Sequence, residues 1–156
     1  MLFKFKLNSG FTLMEILMVV AILGILTGII INSTLNFRRG AALSTETERV
    51  VAILNQARTQ TLSSLNGLAY GVYFTTDTVT IFSGSPYVAG SGGEQIFNLD
   101  PQVTISSINL GGGQAVGFAR LSGRASASGN LTLTTTGGNN QSRIIIINQS
   151  GIVSSK

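Results

Sequence analysis

The sequence predicts an α+β fold: a long N-terminal helix, membrane-spanning in its first half and amphipathic in its second, packed on a small antiparallel β head. Three observations predict it. Positions 11–31 are almost wholly apolar. Positions 32–66 keep a helical period but confine it to one stripe. Positions 67–156 break into short β-prone runs separated by turns rich in Gly, Ser and Asn. The chain has 156 residues, 44% of them hydrophobic and only 10% charged. Globular domains carry about 25% charged residues, so this chain is poor in charge, and it is too hydrophobic to be a disordered tail. The length allows one domain, at most a small one with an appendage. Cysteine and histidine are both absent, which excludes Cys/His zinc sites, Ser-His-Asp triads, catalytic thiols and disulfides. The net charge of +4 comes from ten basic and six acidic residues, a small imbalance rather than a basic patch.

The first ten residues, Met-Leu-Phe-Lys-Phe-Lys-Leu-Asn-Ser-Gly, form a short basic leader ending at Gly10. From Phe11 to Ile31 the run FTLMEILMVVAILGILTGIII holds 21 residues. At 1.5 Å per residue a helix of that length is about 30 Å long, one hydrocarbon thickness. A soluble core helix is rarely apolar on every face for so long. A cleaved secretory signal has a shorter apolar region, of about 7–15 residues, and a small-x-small cleavage site. This run is longer and no Ala-x-Ala follows it, so a retained membrane helix fits better. Glu15 breaks the run. An unpaired carboxylate in hydrocarbon costs several kcal/mol, so an acidic residue there marks a functional position unless the membrane surface keeps it hydrated. Gly24 and Gly28 form a small-xxx-small pair, where helices can approach closely or the helix is merely loosened.

Gly10-Phe11-Thr12-Leu13-Met14-Glu15, after a basic leader and before an apolar helix, resembles the class III signal of type IV pilins and pseudopilins. The resemblance implies cleavage after Gly10 by a prepilin peptidase. It also implies N-methylation of Phe11 by the same enzyme. It further implies an assembly salt bridge between Glu15 and the Phe11 amine of a neighbouring subunit. The expected partners are other pilins or pseudopilins, the prepilin peptidase/methyltransferase, an inner-membrane assembly platform and membrane lipid. The expected place is the bacterial inner membrane, single-pass, N-terminus cytoplasmic, head periplasmic or extracellular. The charge rule contributes little to that orientation, because Lys4 and Lys6 are balanced by Arg38 and Arg39 beyond the run. The physical logic is simple. Cleavage creates an ammonium at the start of an apolar helix. That ammonium and the Glu15 carboxylate are each costly when dehydrated alone, and they attract most strongly in low dielectric.

Beyond the membrane run, Leu43, Thr47, Val50, Leu54, Ala57, Thr61 and Leu65 recur at spacings of three and four, one face of a helix. Glu46, Glu48, Arg49, Gln56 and Arg58 are expected largely outside that stripe. Gly40 is a soft point, and Asn66-Gly67 is the expected stop. The two halves are expected to form one helix of about 50 residues, with the stripe buried on the head.

In the head, Tyr70–Phe74 and Thr78–Phe82 read as a hairpin around Thr75-Thr76-Asp77. The Gly/Ser-rich positions 83–93 read as a loop. Strands are then expected at 94–99, 103–110 with a bulge at Ser106-Ser107, 115–118, 130–134, 142–148 and 152–154. Asp100-Pro101, Gly111-Gly112-Gly113 and Gly137-Gly138-Asn139-Asn140 supply breaks and turns. The run Ile144–Ile147 reads as a strand covered on both faces, one by the helix. The boundaries expected are thus 1–10 for the leader, 11–31 for the transmembrane half, 32–66 for the amphipathic half and 67–156 for the head.

The head resembles the GspH/FimT group of minor pseudopilins through Asn55-Gln56-Ala57-Arg58, Phe118 followed by Gly123-Arg124, Leu131-Thr132-Leu133, and the Ile-rich strand followed by Gly151-Ile152-Val153. The resemblance implies a structural subunit of a type II secretion pseudopilus or type IV pilus-like filament. The alternative is a FimT-like, filament-displayed receptor that binds DNA for uptake. The absence of Cys, and the scatter of Asp77, Glu94 and Asp100, depart from major pilins and calcium-binding major pseudopilins and favour a minor subunit. No catalytic, cofactor-binding or metal-ligating constellation is found, so no enzyme activity and no cofactor are expected. Gly111-Gly112-Gly113-Gln114 lacks the Lys and Ser/Thr of a phosphate loop. Arg120, Arg124 and Arg143 are the head's basic residues before Lys156. Without interleaved aromatic residues, a solvated surface describes them better than a nucleic-acid site.

Overall fold

The computed structural model describes residues 10–156 except 85, 91, 112, 138 and 139, and the side chains of 29–34 are also outside the description. The leader, save Gly10, and two positions of the expected turn at 137–140 therefore lie outside the described residues. The chain divides into two compact units, Met1–Asn36 and Phe37–Lys156.

Helix α1 runs Leu13–Leu62, 50 residues, without a proline. Within the first unit, its apolar side chains from Leu13 to Leu26 are exposed on every side. Positions 29–31 of the expected span fall outside the described side chains. Among the described residues no helix is long and apolar enough to cross a membrane.

The second unit holds the core. The α1 stripe enters it with Leu43, Thr47, Val50, Leu54, Ala57 and Thr61 buried, and Ile53 joins them. Glu46, expected off the stripe, is only 7% exposed. Its spacing explains this, because 43, 46, 50, 53 and 57 step by three and four along one face. The carboxylate is tolerated because Arg49 Nη1 lies 3.3 Å away and also donates to the Asn98 carbonyl at 3.1 Å, tying α1 to the head. Leu65, the expected last member of the stripe, is exposed. The helix stops at Leu62, not at Asn66-Gly67. Ser64 and Asn66 take left-handed φ of 50° and 51°, and a 3-10 turn occupies Leu65–Gly67. The buried Thr61 hydroxyl sets this geometry. It accepts the Tyr70 N–H at 2.9 Å and donates back to the Ala57 carbonyl at 2.9 Å, so the first strand must begin beside the last helical turn.

The strands are β1 Tyr70–Phe74, β2 Thr78–Ser83, β3 Gln95–Asn98, β4 Val103–Leu110, β5 Ala115–Gly117, β6 Gly129–Thr135, β7 Ser142–Ile147 and β8 Val153–Ser155. They form two antiparallel four-stranded sheets, ordered β3-β2-β1-β5 and β4-β6-β7-β8. Thr75 nucleates the first hairpin, its hydroxyl accepting the Thr78 N–H at 2.9 Å. The expected bulge in β4 is present as a register shift between Ile105 and Ser107. It restores inward alternation, so that Val103, Ile105 and Leu110 are all buried.

The inner faces supply Val72, Phe74, Val79, Ile81 and Val116 from one sheet, and Ile105, Leu131, Leu133, Ile145 and Ile147 from the other. Each such side chain contributes about 1.5–3 kcal/mol when removed from water. The strand β7 corrects the sequence reading. Ile145 and Ile147 are buried, but Ile144 and Ile146 are 38% and 36% exposed. An antiparallel sheet with one face on the core alternates, and an unbroken Ile run does not by itself cover the second face. Gly129 is required where it stands, because a Cβ there would run into the Asn109 carbonyl of β4.

Candidate functional site

The motif residues lie at the start of α1. Gly10, Phe11 and Thr12 precede the helix, and a Cβ at Gly10 would meet nothing within 4 Å. The Gly10–Phe11 peptide bond therefore sits in exposed, non-helical chain, the state in which a peptidase can bind a backbone. Phe11 is 78% exposed. Thr12 caps the helix. Its hydroxyl accepts the Glu15 N–H at 3.2 Å, while its carbonyl accepts the N–H groups of Glu15 at 3.1 Å and Ile16 at 3.2 Å.

Thr12 and Glu15 thus form the Thr-x-x-Glu spacing of a capping box, with Glu15 in the first turn. The sequence reading takes Thr12 only as part of the motif, although this spacing was legible in the residues. Glu15 is exposed, and among the described residues its carboxylate makes no hydrogen bond or ion pair. A negative charge in the first turn also favours the helix by about 0.3–1 kcal/mol through the macrodipole. Glu15 accordingly has two compatible local uses, an intrahelical one and an unsatisfied one facing outward. Gly24 and Gly28 have no neighbour within 4 Å of a would-be Cβ, so the small-xxx-small pair packs against nothing described.

Elsewhere, the fold brings together some candidates and separates others. Arg120 and Arg124 share one exposed loop after β5, whereas Arg143 lies on β7 in the other sheet, opposite Leu133. Asp77 and Asp100, far apart in sequence, line one cleft of about 330 Å³. Glu94 is not among its lining residues, and its carboxylate accepts the Gly90 N–H at 3.0 Å. Among the described residues no group of three acidic side chains is placed to hold a metal ion. A second cleft of about 470 Å³ is lined by Tyr70, Phe118 and Ala125, with Arg124 the charged group at its wall. Among the described residues no hydrogen bond in either cleft pairs a side-chain nucleophile with a base.

Residues 5–31 match the prokaryotic N-terminal methylation motif. Comparison with curated proteins and with solved structures finds no match to the chain. The motif covers the start of the chain, and the head follows the α+β plan expected of a pilin, a helix packed on antiparallel sheet. That signal, leading into that fold, supports a type IV pilin-like filament subunit, a type that implies processing by a prepilin peptidase and assembly with other pilins.

Proposed function

We propose that the chain is a minor subunit of a type II secretion pseudopilus or a type IV pilus-like filament, of the GspH/FimT kind. The run 11–31 anchors it in the inner membrane, with its N-terminus cytoplasmic. Prepilin peptidase cuts after Gly10 and methylates the new Phe11 amine. That amine pairs with Glu15 of a neighbouring subunit, and Glu15 pairs likewise in the other direction. The observation that carries this reading is the contiguous signal from Gly10 to Glu15 at an exposed, non-helical entrance to α1. The outward-facing, unpartnered Glu15 carboxylate supports the assembly role, because a charge left alone in an apolar surround is stable only once another subunit answers it.

Intact-mass analysis of membrane-extracted protein, with the peptidase present, tests it. Cleavage leaves 156 − 10 = 146 residues carrying one methyl group. An N-terminus at Met1, or a cut near Gly28, overturns the assignment. The DNA-receptor reading has one observation in its favour, the placing of Arg120 and Arg124 in one exposed loop. No aromatic side chain lies in that loop to stack on a base, and Arg143 is on the other sheet.

A further inference from the structure

The loop 119–124, Ala-Arg-Leu-Ser-Gly-Arg, is held by backbone bonds of its own and by one from α1. Ala119 donates to the Arg124 carbonyl at 2.8 Å, and Gly123 donates to the Ala119 carbonyl at 2.8 Å. Arg58 of α1 reaches across to donate Nε–H to the Gly123 carbonyl at 3.1 Å. Gly151 closes in beside Arg58, where any Cβ would strike that same carbonyl. This frame presents Leu121 at the tip, 86% exposed and with φ of 68°. A bulky residue in the left-handed region is uncommon, and such strain persists where the surroundings over-determine it, typically at contact sites. Arg120 and Arg124 flank the tip, both exposed and without an ion pair among the described residues.

At the opposite end of the same sheet lies a surface of complementary character. The cleft of about 330 Å³ is lined mostly by polar residues, with Pro101 at its rim and the core residues Leu99 and Val103 at its floor, and it carries the carboxylates of Asp77 and Asp100, with no basic side chain in its lining. The two features cannot meet within one chain. Phe118, just before the loop, donates to the Tyr70 carbonyl at the start of β1, whereas Asp77 lies beyond Phe74 at its end. The strand from Tyr70 to Phe74 alone spans about 13 Å.

We propose that the loop 119–124 of one copy docks in the Asp77–Asp100 cleft of a second copy of this chain. Arg120 and Arg124 meet the two carboxylates, and Leu121 lies over the mouth of the cleft against Pro101. Because the two surfaces differ, the contact is head-to-tail and leaves one surface free at each end of a pair, instead of closing into a symmetric dimer. The rigid loop loses little freedom on docking, and the opposed charges set its register. The docking deepens the filament reading and rests on it, adding a contact between heads to the one between N-terminal helices.

The chain has no cysteine, so engineered pairs report without background. In the full chain in its own membranes, Ser122→Cys with Asn98→Cys should form a disulfide ladder of dimers and higher species under mild oxidant. Either single variant should remain monomeric. Adding Arg120→Glu and Arg124→Glu should cut the ladder at least tenfold, and adding Asp77→Arg and Asp100→Arg as well should restore it, which also shows that the heads fold. A double variant that stays monomeric overturns the proposal. So does a Ser122→Cys single variant that dimerises equally, which would mean tip against tip. So does a ladder indifferent to charge reversal, with loss instead of binding to a double-stranded DNA probe. The N-terminal mass separates the two readings: an unprocessed chain that ladders loses the filament alone, and a processed chain that does not ladder loses the docking alone.

Discussion

Glu15 has to be judged against its own helix start. Replacing it with Ala removes both the outward charge and the first-turn acidic group beside Thr12. Glu15→Gln keeps a side chain suited to the third position of a capping box and removes only the charge. Both variants should be made and retained in the membrane fraction, since a lone carboxylate disfavours insertion by up to about 2.5–3.5 kcal/mol at a helix centre and less near the surface. Both should lose cross-linking between subunits, because a buried ammonium without its partner typically costs about 3–5 kcal/mol. If Glu15→Gln cross-links as wild type does, the residue serves its own helix only. Thr61 offers a second test. It is fully buried, and its hydroxyl holds the Tyr70 N–H. Thr61→Val keeps the shape and strands that donor, so the head should lose about 1–3 kcal/mol, seen as a lower unfolding midpoint.

The two kinds of apolar position on β7 make unequal demands. Ile145 is fully buried opposite Leu131, while Ile144 faces outward opposite Thr132. Ile145→Ala should destabilise the head by about 2–5 kcal/mol through the cavity it leaves. Ile144→Thr should stay within about 0.5 kcal/mol of wild type. Denaturant titration of the two variants side by side measures the difference. Equal losses would mean that a second layer covers the outer face of β7. Helix α1 shows the same contrast along its length: its residues from Leu43 to Thr61 are positioned by burial on one side, whereas Leu13 to Leu26 are exposed all round and held by backbone bonding, to which the Thr12 and Thr27 hydroxyls add one bond each.

The division at Asn36 separates a unit with no buried core cluster among its described residues from one that contains the core cluster. If the first anchors the chain and the second lies outside the inner membrane, proteases added to spheroplasts should digest from about position 37 onward and spare the leader-proximal peptide. Protection of the second unit would reverse the orientation. The charge content agrees with such a division of labour only weakly, because Arg38 and Arg39 stand just past the apolar run.

Most of the architecture was legible along the chain because it depends on neighbours in sequence. The period of three and four from Leu43 to Thr61, the β-prone runs of β1 and β2, the alternation in β4, the slip at Ser106-Ser107 and the contiguous signal from Gly10 to Glu15 are all local patterns. What stayed hidden needed partners from far away. The helix ends at Leu62 because Thr61 binds Tyr70. Glu46 falls on the buried face by its own spacing, but what makes its carboxylate tolerable there includes the distant Asn98 carbonyl, which Arg49 reaches together with it. Ile144 and Ile146 are exposed because the sheet containing β7 turns only one face to the core, which no run of four isoleucines can disclose. Asp77 with Asp100, and Arg120 with Arg124 around a strained Leu121, became surfaces only through strand pairing and the close approach of Arg58, Gly123 and Gly151. Local pattern determines which residues form helix or strand, since backbone geometry repeats every few residues. Which polar groups become neighbours depends on how those elements pack, and packing joins positions whose separation in sequence carries no signal.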